Sequence, residues 1–155
     1  MKKFLFLFFS GLVLFSCSSD DDICTSGEAT PRLKMKFRTT EGKEKTLDSL
    51  YLDVAYGSGK INIVSAKSVD SVMIPLRVDE SPFTEIFVRL TNKGEESAIK
   101  INYTTESEYV SPACGIKRIY RNLNPELESA NPVIRVDKVQ NEITNEEKSH
   151  LYLIF

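Results

Sequence analysis

From Thr30 to the C-terminus, apolar and polar side chains alternate with a period of two, and this pattern restricts the chain to sheet. Leu33, Met35 and Phe37 alternate with Lys34, Lys36 and Arg38; Leu50, Leu52, Val54 and Tyr56 alternate with Tyr51, Asp53 and Ala55. Successive side chains of a strand point to opposite faces, so each segment predicts a strand with one dry and one wet side. The same texture predicts strands at 60–65, 71–78, 84–91, 98–105, 115–120, 133–137 and 149–155. Turn formers separate them: Glu41-Gly42, Gly57-Ser58-Gly59, Asn92-Lys93-Gly94, Asn124-Pro125 and Asn131-Pro132. No segment has helical periodicity, and 126–130 reads at most as a turn. Pro75 marks an edge strand or a bulge, because proline cannot donate to a ladder. Leu151-Tyr152-Leu153-Ile154-Phe155 is apolar on both faces and predicts a central strand. With 155 residues there is material for one compact domain. Many short strands with no intervening helices predict an all-β fold, an antiparallel β-sandwich, Ig-like or related, over residues 30–155.

Residues 1–16 lie outside that pattern. Lys2 and Lys3 precede an apolar run from Phe4 to Phe15, interrupted only by Ser10 and Gly11, which is the layout of a secretory signal peptide. The run falls short of the roughly 20 residues that a transmembrane helix needs. At its end, Leu14-Phe15-Ser16-Cys17 resembles the bacterial lipobox. The resemblance implies cleavage before Cys17, diacylglycerol and palmitate on its thiol, and an outer-membrane location, periplasmic or surface-exposed. An ordinary signal peptide with an incidental cysteine is the alternative. Residues 17–29 then form a tether. Its Ser18-Ser19-Asp20-Asp21-Asp22 run resembles the serine-plus-acidic export signal of Bacteroidetes surface lipoproteins; a solvated spacer reads equally well. The run lacks the alternating ligands, central glycine and closing glutamate of a calcium loop.

Three cysteines are present. With Cys17 lipidated, Cys24 and Cys114 remain as a pair in an oxidising setting, which predicts one disulfide, with two buried thiols as the alternative.

The pieces Ile23-Cys24, Thr30-Pro31-Arg32-Leu33-Lys34-Met35-Lys36-Phe37, Ile74-Pro75-Leu76 and Ser111-Pro112-Ala113-Cys114-Gly115 together resemble the Bacteroidetes lipoprotein family of unknown function DUF6452. The resemblance spans nearly the whole chain after the signal peptide. It implies an envelope location and a β fold, and it brings no catalytic residue.

Charge and motif content narrow the function classes. Twenty basic and 22 acidic residues give a net charge of −2, so no excess of positive charge points to nucleic acid. The single histidine, His150, opens the terminal strand with no nucleophile-elbow serine near it. One histidine and two paired cysteines do not make a zinc site, no glycine-rich phosphate loop opens a helix, and no cofactor or metal is expected. The carboxylate pairs Glu95-Glu96, Glu106 with Glu108, and Glu146-Glu147 read as solvated turn charges. Asp48-Ser49-Leu50 and Asp70-Ser71-Val72 resemble the Asp-Ser-aliphatic O-glycosylation signal of exported Bacteroidetes proteins, or are plain turn serines. The row Lys34, Lys36 and Arg38 faces either an anionic glycan or lipid headgroup, or only water from an edge strand. The expectation is a non-enzymatic binding or assembly module, held to the membrane through its lipid, with an envelope protein or glycan as partner. The alternatives are a small envelope hydrolase using His150 with a carboxylate, or a structural subunit of an outer-membrane complex.

Overall fold

A computed structural model describes residues 29–57 and 59–155. Among these there is no helix. Ten strands follow in order: β1 Leu33–Arg38, β2 Leu47–Ala55, β3 Lys60–Val69, β4 Ser71–Ile74, β5 Phe83–Arg89, β6 Ser97–Ser111, β7 Gly115–Ser129, β8 Arg135–Lys138, β9 Glu142–Ile143 and β10 Leu151–Ile154. They make two sheets, one of four strands in the order β4-β1-β10-β8 and one of six in the order β3-β2-β5-β6-β7-β9. The all-β sandwich is therefore the architecture. Every pairing is antiparallel except one, between the first and last strands, where Met35 to Arg38 run parallel to Leu151 to Ile154.

The period of two places the core. Leu33, Met35 and Phe37 from β1 share one core with Leu50, Leu52 and Val54 from β2 and, beside them in the large sheet, Ile86, Val88, Ile99 and Ile101, all essentially without solvent exposure. Burying an aliphatic side chain of this size stabilises by roughly 1.5–3 kcal/mol, so these inward rows dominate the folding free energy. The two sheets are joined by one nearly continuous strand. The chain passes Ser68 in a left-handed conformation (φ 53°), leaves the large sheet at Val69 and enters the small sheet at Ser71. A local bend of this kind is how one strand serves two sheets.

Three expectations are corrected. The segment 126–130, read as a turn, is mostly strand: β7 runs on to Ser129 and passes Asn124-Pro125 without breaking. Asn122, at φ 55°, lets a bulge form, so that Arg121 pairs with Thr104 and Asn124 with Asn102 while two residues of β7 face one of β6. Pro125 is tolerated because β9 pairs with β7 only at Tyr120 and Arg121, leaving the outer side of β7 at Pro125 without a ladder. Second, the two-residue β9 is too short for a period to show. Third, β1 is not an edge strand, since it lies between β4 and β10. Pro75 does follow an edge strand, β4, and the terminal strand lies inside its sheet.

A tyrosine pair sits where β6 and β7 cross the core. The Tyr103 and Tyr120 rings meet edge to face at 5.0 Å and 74°. Tyr103 shares a hydrogen bond of 2.7 Å with Thr84 Oγ1, whereas the fully buried Tyr120 hydroxyl has no partner among the described residues. An unmet buried hydroxyl costs about 1–3 kcal/mol. Tyr120→Phe should therefore leave stability unchanged or raise it by about 1 kcal/mol in urea unfolding, and a clear loss of stability would show that the hydroxyl is satisfied.

Candidate functional site

The polar residues that looked reactive in sequence converge on the seam between the start of β1 and the loop before β10. Arg32 donates from Nε and Nη2 to the two carboxylate oxygens of Glu146, each at 2.8 Å, and its backbone N–H reaches Oε1 at 2.9 Å. The guanidinium holds the Glu146 carboxyl below its ordinary range, chiefly through these hydrogen bonds. Lys34 Nζ donates to the carbonyls of Glu146 and Glu147 at 3.0 and 3.2 Å. The Lys34 backbone does more: its N–H donates to His150 Nδ1 at 2.9 Å, and its carbonyl accepts from the His150 N–H at 2.9 Å.

Beside this seam lies a polar cleft of about 230 Å³, lined by Gln140, Glu142, Thr144, Asn145, Glu147, Lys148 and His150. His150 itself is only 3% exposed. A general base needs a ring nitrogen open to substrate. Here the ring is buried and its Nδ1 is taken up by the Lys34 N–H, so the histidine acts as a clip between β1 and the start of β10. Burial pushes its imidazole below the ordinary value, and the nearby Lys34 charge acts in the same direction.

The other sequence candidates are dispersed. Ser49 and Ser71 are both half-buried. The Ser49 hydroxyl donates to the Leu90 carbonyl, and Ser71 donates to Asp70 Oδ1 at 2.9 Å. The basic row is engaged within the chain: Lys34 as above, Lys36 with Glu44 at 3.3 Å, and Arg38 stacked 3.4 Å over the Tyr152 ring. Glu95 accepts from the Asn131 side chain, Glu106 pairs with Arg121 at 2.8 Å, and Glu108 with Lys117 at 3.1 Å. Cys17, Ser18, Ser19, Asp20, Asp21, Asp22 and Cys24 lie outside the described residues. Cys114 sits in the turn between β6 and β7, its N–H donating to Ser111 Oγ at 3.1 Å, and it is not without a further partner.

One polar cluster had no signature in the sequence. On the outer face of the large sheet, Asp53 is bound by Arg89 and by Asn62 Nδ2 at 2.6 Å; Arg89 Nε also faces Glu96 at 3.5 Å. Glu96 pairs in turn with Lys60, which lies 3.4 Å over the Phe87 ring. Alternation marked Asp53 as wet, yet it is 8% exposed. Its partners come from two other strands, β3 and β5, and no local spacing reveals such a cluster. Among the described residues no group of three His, Cys, Asp or Glu could hold a metal ion, and no helix is long and apolar enough to cross a membrane.

Compared with known proteins, residues 50–155 match the model of a family of unknown function (DUF6452). The chain belongs to this family. The match starts within β2, so the Ile23-Cys24 and Thr30 to Phe37 pieces of the resemblance lie outside it, whereas Ile74-Pro75-Leu76 and Ser111 to Gly115 lie inside. No curated protein and no solved structure matches the chain.

The clip in this DUF6452 member has a pH signature. Folding holds His150 neutral, so the unfolded chain binds its proton more readily. The stabilisation is complete above the unfolded value near pH 6.5 and is lost as pH falls below it toward the depressed folded value. Denaturant titrations should show stability falling between about pH 7 and pH 5, and His150→Asn, which keeps an acceptor but no titrating group, should flatten that slope. An unchanged slope in the variant would assign the dependence elsewhere.

Proposed function

We propose that this DUF6452 member is a lipoprotein of the Bacteroidetes cell envelope, anchored in the outer membrane through diacylated Cys17 and acting as a non-enzymatic binding or assembly module for an envelope protein or glycan. The leash 17–29 joins lipid to domain, and Asp20, Asp21 and Asp22 direct export to the surface. The observation that carries the reading is how the chain enters the domain. Thr30 Oγ1 accepts the Arg118 N–H at 2.9 Å, so the leash arrives alongside β7, close to the turn that holds Cys114.

That entry point supports a disulfide between Cys24 and Cys114. The chain from Cys24 to Thr30 reaches at most about 20 Å when extended. The strand from Arg118 back to Cys114 covers about 13 Å, within that reach. Cys114 is disulfide-bonded, which supports the pairing. The hydrolase reading has no comparable support, because His150 is buried and its Nδ1 is occupied by the Lys34 N–H.

Two measurements test the proposal. Cys17→Ala should leave the full chain unprocessed, unlabelled by fed palmitate and out of the detergent phase; unchanged mass and partition would overturn the anchor. Cys24→Ser combined with Cys114→Ser should cost roughly 2–5 kcal/mol of stability. Two thiols open to alkylation in the native, unreduced protein would overturn the staple.

A further inference from the structure

The hairpin of β6 and β7 outgrows the sandwich. β5 pairs with β6 only between Ser97 and Asn102, and β9 meets β7 only at Tyr120 and Arg121. Beyond Thr105 and Ile119 the described residues form a two-stranded arm, closed by a turn at Pro112 to Cys114. Its end reads Tyr109-Val110-Ser111-Pro112-Ala113-Cys114-Gly115-Ile116, without one charge, in a chain that is 27% charged. Tyr109 and Ile116 face each other across the strands, and they are 66% and 62% exposed. Charge resumes directly behind them, where Glu108 and Lys117 pair at 3.1 Å.

An exposed hairpin end ordinarily carries polar turn residues. An uncharged one with an outward aromatic and an outward isoleucine matches the water–lipid boundary, where tyrosine partitions by its amphipathic ring. The geometry points to the tip of this arm, Tyr109 with Ile116, as a second contact with the bilayer surface, inserted beside the lipid anchor. This rests on the anchored reading above. The leash from Cys17 to Cys24 spans at most about 25 Å, so a bonded Cys114 keeps the tip within that distance of the lipid. At the millimolar effective concentration that a short leash imposes, even a weak apolar contact is occupied. A second copy of the chain fits less well, since one hairpin tip offers far less than the ~1,000 Å² that a stable interface buries.

The chain has no tryptophan, so one substitution reports on the tip alone. The processed full-length protein with Tyr109→Trp is reconstituted into phosphatidylcholine vesicles with brominated acyl chains. Ile134→Trp is the control: Ile134 is 58% exposed and lies at the other end of the hairpin, next to Val133, whose N–H bonds Ser97 Oγ at 2.9 Å. Emission from Tyr109→Trp should shift to the blue and be quenched severalfold more than that of the control, and Ile116→Trp should repeat the result from the opposite strand. Equal quenching at both ends overturns the contact. A blue shift without bromine quenching also overturns it, placing the tip against protein. Flotation of the vesicles reads the anchor separately: a chain that floats without tip quenching keeps its anchor and loses the second contact, and one that neither floats nor is quenched loses both.

Discussion

The smaller sheet exists only because the first strand of the domain runs parallel to the last. In the order β4-β1-β10-β8, the two outer strands have no partner except this central pair, which comes from opposite ends of the domain. Parallel pairing offers slightly less per residue than antiparallel, and closing so long a loop costs entropy. The register therefore needs a device that a hairpin turn would otherwise supply. Lys34 and His150 provide it: two hydrogen bonds between them and the grip of Arg32 and Lys34 on Glu146 and Glu147 fix where β10 begins against β1. A one-residue slip would turn Leu151 and Leu153 away from the core.

That seam explains why the chain's most reactive-looking residues do structural work. The histidine, an arginine and a carboxylate gather beside a polar cleft, as they would in an active site, but each is satisfied by a partner whose job is register. The outer face of the large sheet repeats the logic with Asp53, Arg89, Glu96 and Lys60, each charge facing its opposite. Partly buried charges need such partners, since an unpaired one carries the full desolvation cost.

Much of the fold was legible from the period of two, because one-sided burial imposes alternation wherever a strand has a wet face. β1 and β5 follow it closely, β2 departs from it at the buried Asp53, and the double-sided apolar pattern at the C-terminus marked an interior strand. What failed did so for physical reasons. Asn124-Pro125 reads as a break, yet the bulge at Asn122 and an open strand side absorb both residues. The parallel pairing leaves no trace in local sequence, because register between chain ends is set by tertiary contacts. The roles of Lys34 and His150 were hidden for the same reason: one-dimensional spacing gives residue types, and the bond between them joins residues 116 positions apart.

In the proposed anchored form, the position of Cys114 decides how a load from the membrane would enter the fold. Were the leash attached only through β1, any pull from the lipid would reach the parallel pairing from its first pair, Met35 with Leu151, and load it directly. A bond from Cys24 to Cys114 moves the load to the β6–β7 hairpin, whose ladder extends from Ser111 and Gly115 back to Ala98 and Ser129 and is the longest in the chain. Pull on the arm is then shared along two fifteen-residue strands. Thr30 meets Arg118 on the domain side of that proposed attachment, so in the anchored form the hairpin would take the tension before β1 does. The seam that the small sheet depends on would thereby be kept out of the force path.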